Sequence, residues 1–159
     1  MSLQTIIIPQ ATTAPPPKSS LNAGSFWPVI SMELVRVNVA VDASVTAQRL
    51  EHAAIAAMSN VIDQLTAWAA EQQAKGYTTL AQVPCVHIND ASLQVLRFER
   101  AVYAYAKADL AERYADADAT GRAERGEEGR RLQADEYRRD ALHAVRDILG
   151  QPRMTSELI

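Results

Sequence analysis

The chain has 159 residues, 48% hydrophobic, 22% charged and only 6% aromatic, with a formal net charge of −3. That length fits one domain with a modest core, and the negative balance argues against coating nucleic acid by bulk attraction. The single cysteine, Cys85, excludes an intramolecular disulfide, and the absence of a run of roughly 18 apolar residues or a secretory signal in MSLQTIIIPQ points to a soluble, intracellular protein with no membrane span.

Residues 1–25 read as an extended, proline-rich arm. Ile6, Ile7 and Ile8 form an aliphatic knot, and Pro15, Pro16 and Pro17 impose a polyproline-like path with no hydrogen-bond ladder. Such composition gives either a disordered leader or an arm that orders against a partner, with the three isoleucines as its anchor. Helical signals begin after Phe26, Trp27 and Pro28. Ser31 is placed to cap a short helix over Met32–Val39, against the strand preference of the β-branched run VRVNVAV. VDASVT then breaks it. A long helix runs from Val45 to Lys75, with Leu50, Ala54, Met58, Val61, Leu65, Trp68 and Gln72 at three- and four-residue steps and Gly76 as its stop. GYTTLAQVPCVHIND reads as a loop with one helical turn at Thr79–Gln82. Asp90 or Ser92 caps a third helix to Ala117, with Leu96, Arg100, Tyr103, Lys107, Leu110 and Tyr114 in register. ADATGRAERGE, carrying Gly121 and Gly126, interrupts the chain before a last helix over Glu128–Leu149, where Leu132, Ala141, Val145 and Ile148 share a face. Gly150 and Pro152 end that helix, and residues 150–159, GQPRMTSELI, leave as an extended tail tipped by Leu158 and Ile159. The expected fold is all-α: a small bundle of three long helices and a short one over 26–149, with an extended arm at each end.

Chemistry is sparse along this chain. Asp140-x-x-His143 is half of a bundle metal motif, but no second helix supplies the other half, since Arg49 stands three residues before His52. No metal site is expected. Cys85, His87 and Asp90 lie close in sequence, yet no glycine-rich turn or nucleophile elbow accompanies them, so Cys85 reads as structural. GxxxxGK[ST] and GxGxxG are both missing. Arg130, Arg131, Arg138, Arg139 and Arg146 alternate with Asp135, Glu136, Asp140 and Asp147 on the last helix. The pattern suits an ion-paired face, with a protein interface or nucleic-acid contact as alternatives. Tyr103, Tyr105 and Tyr114 fit packing better than base stacking. From the residues alone the chain is a helical interaction module, with no enzyme activity or cofactor expected.

Several stretches carry a sharper signal: VTAQRLEHAAIAAMSNVIDQLTAW, GYTTLAQVP, AVYAYAKADLAERYADADAT and EYRRDALHAVRDILGQPRMTSELI, in that order. Over Phe26 to Ile159 the chain resembles the head completion protein (GPL) family of temperate, contractile-tailed phages. MELVRVNVAVDAS departs from the more charged sequence that the resemblance leads one to expect. The resemblance implies a structural virion protein of the neck between head and tail, assembled in the host cytoplasm. Such a protein binds the portal ring after DNA packaging, stabilises the filled head and offers the tail-attachment surface to a tail-terminator or neck protein. Neighbouring copies would form a dodecameric ring through which DNA passes without sequence-specific binding. Pro152, Arg153, Met154, Leu158 and Ile159 become the candidate portal-binding tail. Ile6, Ile7, Ile8, Arg130, Arg131, Arg138 and Arg139 become candidates for contact between subunits. The alternative is a nucleic-acid-binding helical packaging factor, which a steep salt dependence of DNA affinity would mark.

Overall fold

A computed structural model describes residues 16–40, 45–117 and 124–152. Among them are four α-helices: α1 (Met32–Val39), α2 (Ala47–Ala74), α3 (Leu93–Ala117) and α4 (Glu124–Leu149). Two short antiparallel ribbons accompany the helices. In one, β1 (Ser20–Leu21) pairs with β2 (Ile30–Ser31); in the other, β3 (His87–Ile88) pairs with β4 (Ala91–Ser92). The fold is all-α, as the helical periodicity predicts.

Local chemistry explains most helix ends. The Ser31 hydroxyl accepts from the Leu34 amide, and Thr46 Oγ1 accepts from the Arg49 amide at 3.3 Å, so each caps the helix that follows it. α2 closes on a left-handed glycine, Gly76 at φ 97°. Its amide donates to the Gln73 carbonyl at 2.9 Å, and the Tyr77 amide donates to the Gln72 carbonyl at 3.2 Å. α4 ends in the same manner, with Gly150 at φ 68° and the Gln151 amide donating to the Arg146 carbonyl at 2.9 Å. α1 forms despite its β-branched residues because Met32, Val35 and Val39 bury one helical face.

Five expectations need correction. The segment GYTTLAQVPCVHIND is more than a loop: beyond the helical turn at Leu80–Gln82 it holds the β3–β4 hairpin. Asn89 at φ 49° and Asp90 at φ 62° supply the paired left-handed residues that such a two-residue turn needs. Of the two residues offered as the cap of α3, Asp90 is therefore a turn residue, while Ser92 directly precedes the helix, whose Leu93 amide donates to the Val86 carbonyl at 3.0 Å. α4 begins at Glu124, earlier than expected, and takes Gly126 into the helix. Each helical glycine costs roughly 1 kcal/mol relative to alanine, which a long packed helix can absorb. The expected face of α3 is right at Leu110 and displaced elsewhere. Phe98, Ala101, Val102, Ala106 and Leu110 are buried, while Arg100 is exposed and Leu96, Tyr103 and Lys107 are half-buried. α3 lies between α2 and α4, with its most extensive packing against α4. It must bury two flanks, and small alanines allow the close approach, so a single-stripe reading fails. Leu132 is 62% exposed, because Ala134, Ala141, Ala144, Val145 and Ile148 form the inner face of α4. Gly121, Tyr114 and the VDAS break lie outside the residues or side chains described.

Ile30, Val35, Leu50, Val61, Leu65, Leu80, Phe98 and Val102 are fully buried and make the centre of the core. The segment from residue 16 to 31 straps across it. Trp27 stacks on Phe98 with ring centroids 5.1 Å apart and meets Phe26 edge-on at 5.0 Å. The Leu80 amide donates to the Phe26 carbonyl at 2.8 Å. One aromatic pair thus fastens the strap both to α3 and to the turn after α2.

Candidate interaction surfaces

The strap is held on α2 as well. The Lys18 amide donates to the Glu51 carboxylate at 3.1 Å, the Met32 amide donates to the Ser19 carbonyl at 3.0 Å, and Leu21 is buried. Lys18 to Ala23 and α2 border a groove of about 440 Å3. A second groove of about 810 Å3 lies beside it, between α2 and α3.

On the far side, α3 and α4 are laced by charge. Arg138 bonds Glu112 across the two helices and Asp135 on its own helix at 3.1 Å. Arg113 pairs with Asp109 at 3.0 Å, and the Lys107 ammonium sits 4.6 Å from the Tyr137 ring centroid. Arg130 and Arg131 also have partners, and Arg139 is exposed. Of the four arginines expected at subunit contacts, Arg138 is thus engaged within its own chain. These pairs are solvent-accessible, so each is worth only about 0–1 kcal/mol. Their organisation orients the charges more than it stabilises the fold.

A third groove, about 410 Å3, lies among α1, α3 and α4, with Glu99 and Tyr103 in its wall. Burial pushes the Glu99 carboxyl above the ordinary value. Burial, together with the Glu99 charge, pushes the Tyr103 hydroxyl up to about 12. α2 and α3 share one polar link, where Gln64 Nε2 donates to the Tyr105 hydroxyl at 3.0 Å. Among the described residues no buried side-chain nitrogen or oxygen lacks a hydrogen-bond partner.

Cys85 lies beside the start of α3, its sulfur 3.2 Å from the Ser92 hydroxyl. Burial pushes the thiol up, but Ser92, the Gln94 and Leu93 amides and the charge of Arg97 outweigh it and leave a lowered value. His87 is exposed on the hairpin and is not among these influences, so the Cys-His-Asp set of the sequence is not assembled. Asp140 and His143 gain no metal-binding cluster among the described residues. Gln151 and Pro152 are exposed at the end of α4. Arg153, Met154, Leu158, Ile159 and Ile6, Ile7 and Ile8 lie outside the described residues.

Sequence reasoning missed a set of exposed aliphatics: Val29, Leu34, Val37, Ile55, Val86 and Ile88. For Val86 and Ile88 a signal existed, since they alternate on the approach to the Asn89-Asp90 turn. Val37 and Ile55 carry no such signal, because an apolar residue on an amphipathic helix is assigned to the core by default.

The sequence profile of the phage head completion protein (GPL) family matches residues 21–159. The chain belongs to that family. A relative from Escherichia phage P2, described as a head completion/stabilization protein, is 34% identical over 150 residues, covering 94% of this chain and 86% of the relative. No solved structure matches. Membership makes this a structural phage protein of head completion and stabilisation, and so a component of the virion. The matched region takes in all four helices and runs on past Gly150 to Ile159. No helix among the described residues is long and apolar enough to cross a membrane.

Proposed function

We propose that the protein closes the DNA-filled head by binding the portal ring and then presents a surface on which the tail, or a neck protein, docks. Copies of the chain form a ring in the neck between head and tail, assembled in the host cytoplasm, and DNA passes through without sequence-specific binding. The role is structural and involves no reaction or cofactor. The observation that carries this reading is that the family match continues beyond the last helix into the segment ending Leu158-Ile159.

Gly150 is a left-handed helix stop and Pro152 is exposed at the end of α4. Arg153 would contribute a charge-assisted hydrogen bond, and Met154, Leu158 and Ile159 would enter apolar clefts of the portal. Between subunits, Ile6, Ile7, Ile8 and the α4 arginines Arg130, Arg131, Arg138 and Arg139 are the contact residues, Arg138 carrying its acidic partners into the contact as one mixed-charge patch. A head-to-tail ring needs two unlike faces on each protomer, and the strap side and the charged α3–α4 side are unlike in this way. The packaging-factor alternative draws less support, because Arg138 is already paired with the carboxylates of Glu112 and Asp135.

Deleting Pro152 to Ile159 tests the reading. In phage lacking the wild-type gene, the truncated protein is expected to fold yet leave heads that lose DNA or fail to accept tails. Infectious particles at the wild-type level would overturn portal docking by the tail.

A further inference from the structure

The groove between α2 and α3 is lined by Ala53, Ile55, Ala56 and Leu110, with Arg49, His52, Ser59, Asp109 and Arg113 around them. Ile55 is 46% exposed there and Ala56 beside it is exposed too, although Ala53, Ala54 and Ala57 of the same turn of α2 are buried. Ile55 and Ser59 also line the neighbouring groove beneath the strap, so the two grooves adjoin as a channel along α2. Its near end is already occupied by extended chain. The strap lies on α2 through the Lys18–Glu51 bond and inserts Leu21 into the core.

We infer that the open part of this channel receives the Ile6–Ile8 segment of a second copy, so that neighbouring protomers exchange their N-terminal arms. The inference rests on the multi-copy assembly proposed above. The segment Thr5-Ile6-Ile7-Ile8-Pro9 carries no charge and three branched aliphatic side chains, the chemistry that the apolar lining around Ile55 takes. Reach decides between the chain's own groove and that of a neighbour. Ile8 lies ten positions before Lys18, and Pro9, Pro15, Pro16 and Pro17 fall between them. A proline-rich link of that length spans about 30 Å at about 3.1 Å per residue. Lys18 itself borders the channel, so a link drawn out to that length would set the isoleucines beyond the groove at its root and within reach of an adjacent protomer. Exchange of an identical element between protomers is a low-cost route to association.

The test places a photoreactive p-benzoylphenylalanine at position 7 of the full-length protein and irradiates an equal mixture of light and heavy-isotope chains in concentrated solution. Arms that exchange give cross-links to the Ile55–Ser59 stretch in which mixed-isotope pairs are as frequent as same-isotope pairs. Ile55→Asp or Ala56→Glu, both at exposed positions, should then lower the yield on the order of tenfold. Same-isotope pairs alone would mean that each arm folds onto its own groove, and would overturn exchange. No cross-link, or capture at another surface, would overturn the groove as the arm's seat. So would finding the C-terminal segment in the channel when the reagent is moved to position 158. Recovery of the protein with DNA-filled heads is scored separately, so a failure of the head-completion reading is told apart from a failure of arm exchange.

Discussion

Ala40 ends α1 at φ 50°, ψ 53°, a left-handed conformation that glycine adopts freely and alanine does not. Its amide still closes the helix by donating to the Val37 carbonyl at 3.3 Å. Replacing it with glycine should therefore stabilise the protein by about 0.5–1 kcal/mol, the left-handed penalty less the added chain entropy; a urea titration measures it, and a loss of stability would contradict the strain. Glu99 carries a different kind of cost. Burial holds its carboxyl above the ordinary 4.5, so the fold prefers the protonated form. The stability tied to this group is whole below the carboxylate's unfolded value and is lost as pH rises through the folded one. Glu99→Gln is thus expected to raise Tm modestly at pH 7 and to leave it unchanged near pH 4. Equal midpoints at pH 7 would show that solvent meets the charge in full.

The elements differ in how much of them the sequence carries. Ser31, Thr46, Gly76 and Gly150 are punctuation whose effect is local, and so the existence of all four helices is readable in the chain. The inner face of α3 is not, because burial there is decided by α2 and α4 together and the alanines on both flanks look alike in sequence. The β1–β2 ribbon is hidden for another reason. Two-residue strands carry no periodicity, and the Trp27–Phe98 stack that fastens the strap beside them joins residues 71 positions apart. Phe98 is accordingly the residue on which strap, α3 and core converge. Phe98→Ala should cost about 3–5 kcal/mol in denaturant unfolding, a large share of the roughly 5–15 kcal/mol available to a domain of this kind. A cost below about 1 kcal/mol would mean that the strap holds without it.

At the scale of the whole molecule, the family was legible in AVYAYAKADLAERYADADAT and the C-terminal stretch, whereas the surfaces were not. Grooves arise where the strap lies on α2 and where α2 meets α3, relations between segments distant in sequence. The exposed aliphatics Val29, Leu34, Val37, Val86 and Ile88 and the accessible charge pairs of α3 and α4 leave faces suited to partners. Single surface pairs and one short arm contribute little binding energy each, so association should need high local concentration. The free protein is expected to sediment as a monomer when dilute and to oligomerise in the presence of portal; a stable ring in dilute solution without portal would refute this.

The strap also fixes how the molecule bears load. A pull on the residues before Pro16 enters the body at Lys18 and meets the Glu51 bond first, then the Ser19 and β1–β2 bonds, and lastly the Phe26–Trp27 pair on Phe98. Bonds arranged in that order break one after another, as in a zipper, and not all together. Under such a pull the strap would yield in steps while α2, α3 and α4 stay folded, and quenching or recovery of Trp27 fluorescence would time the last of those steps.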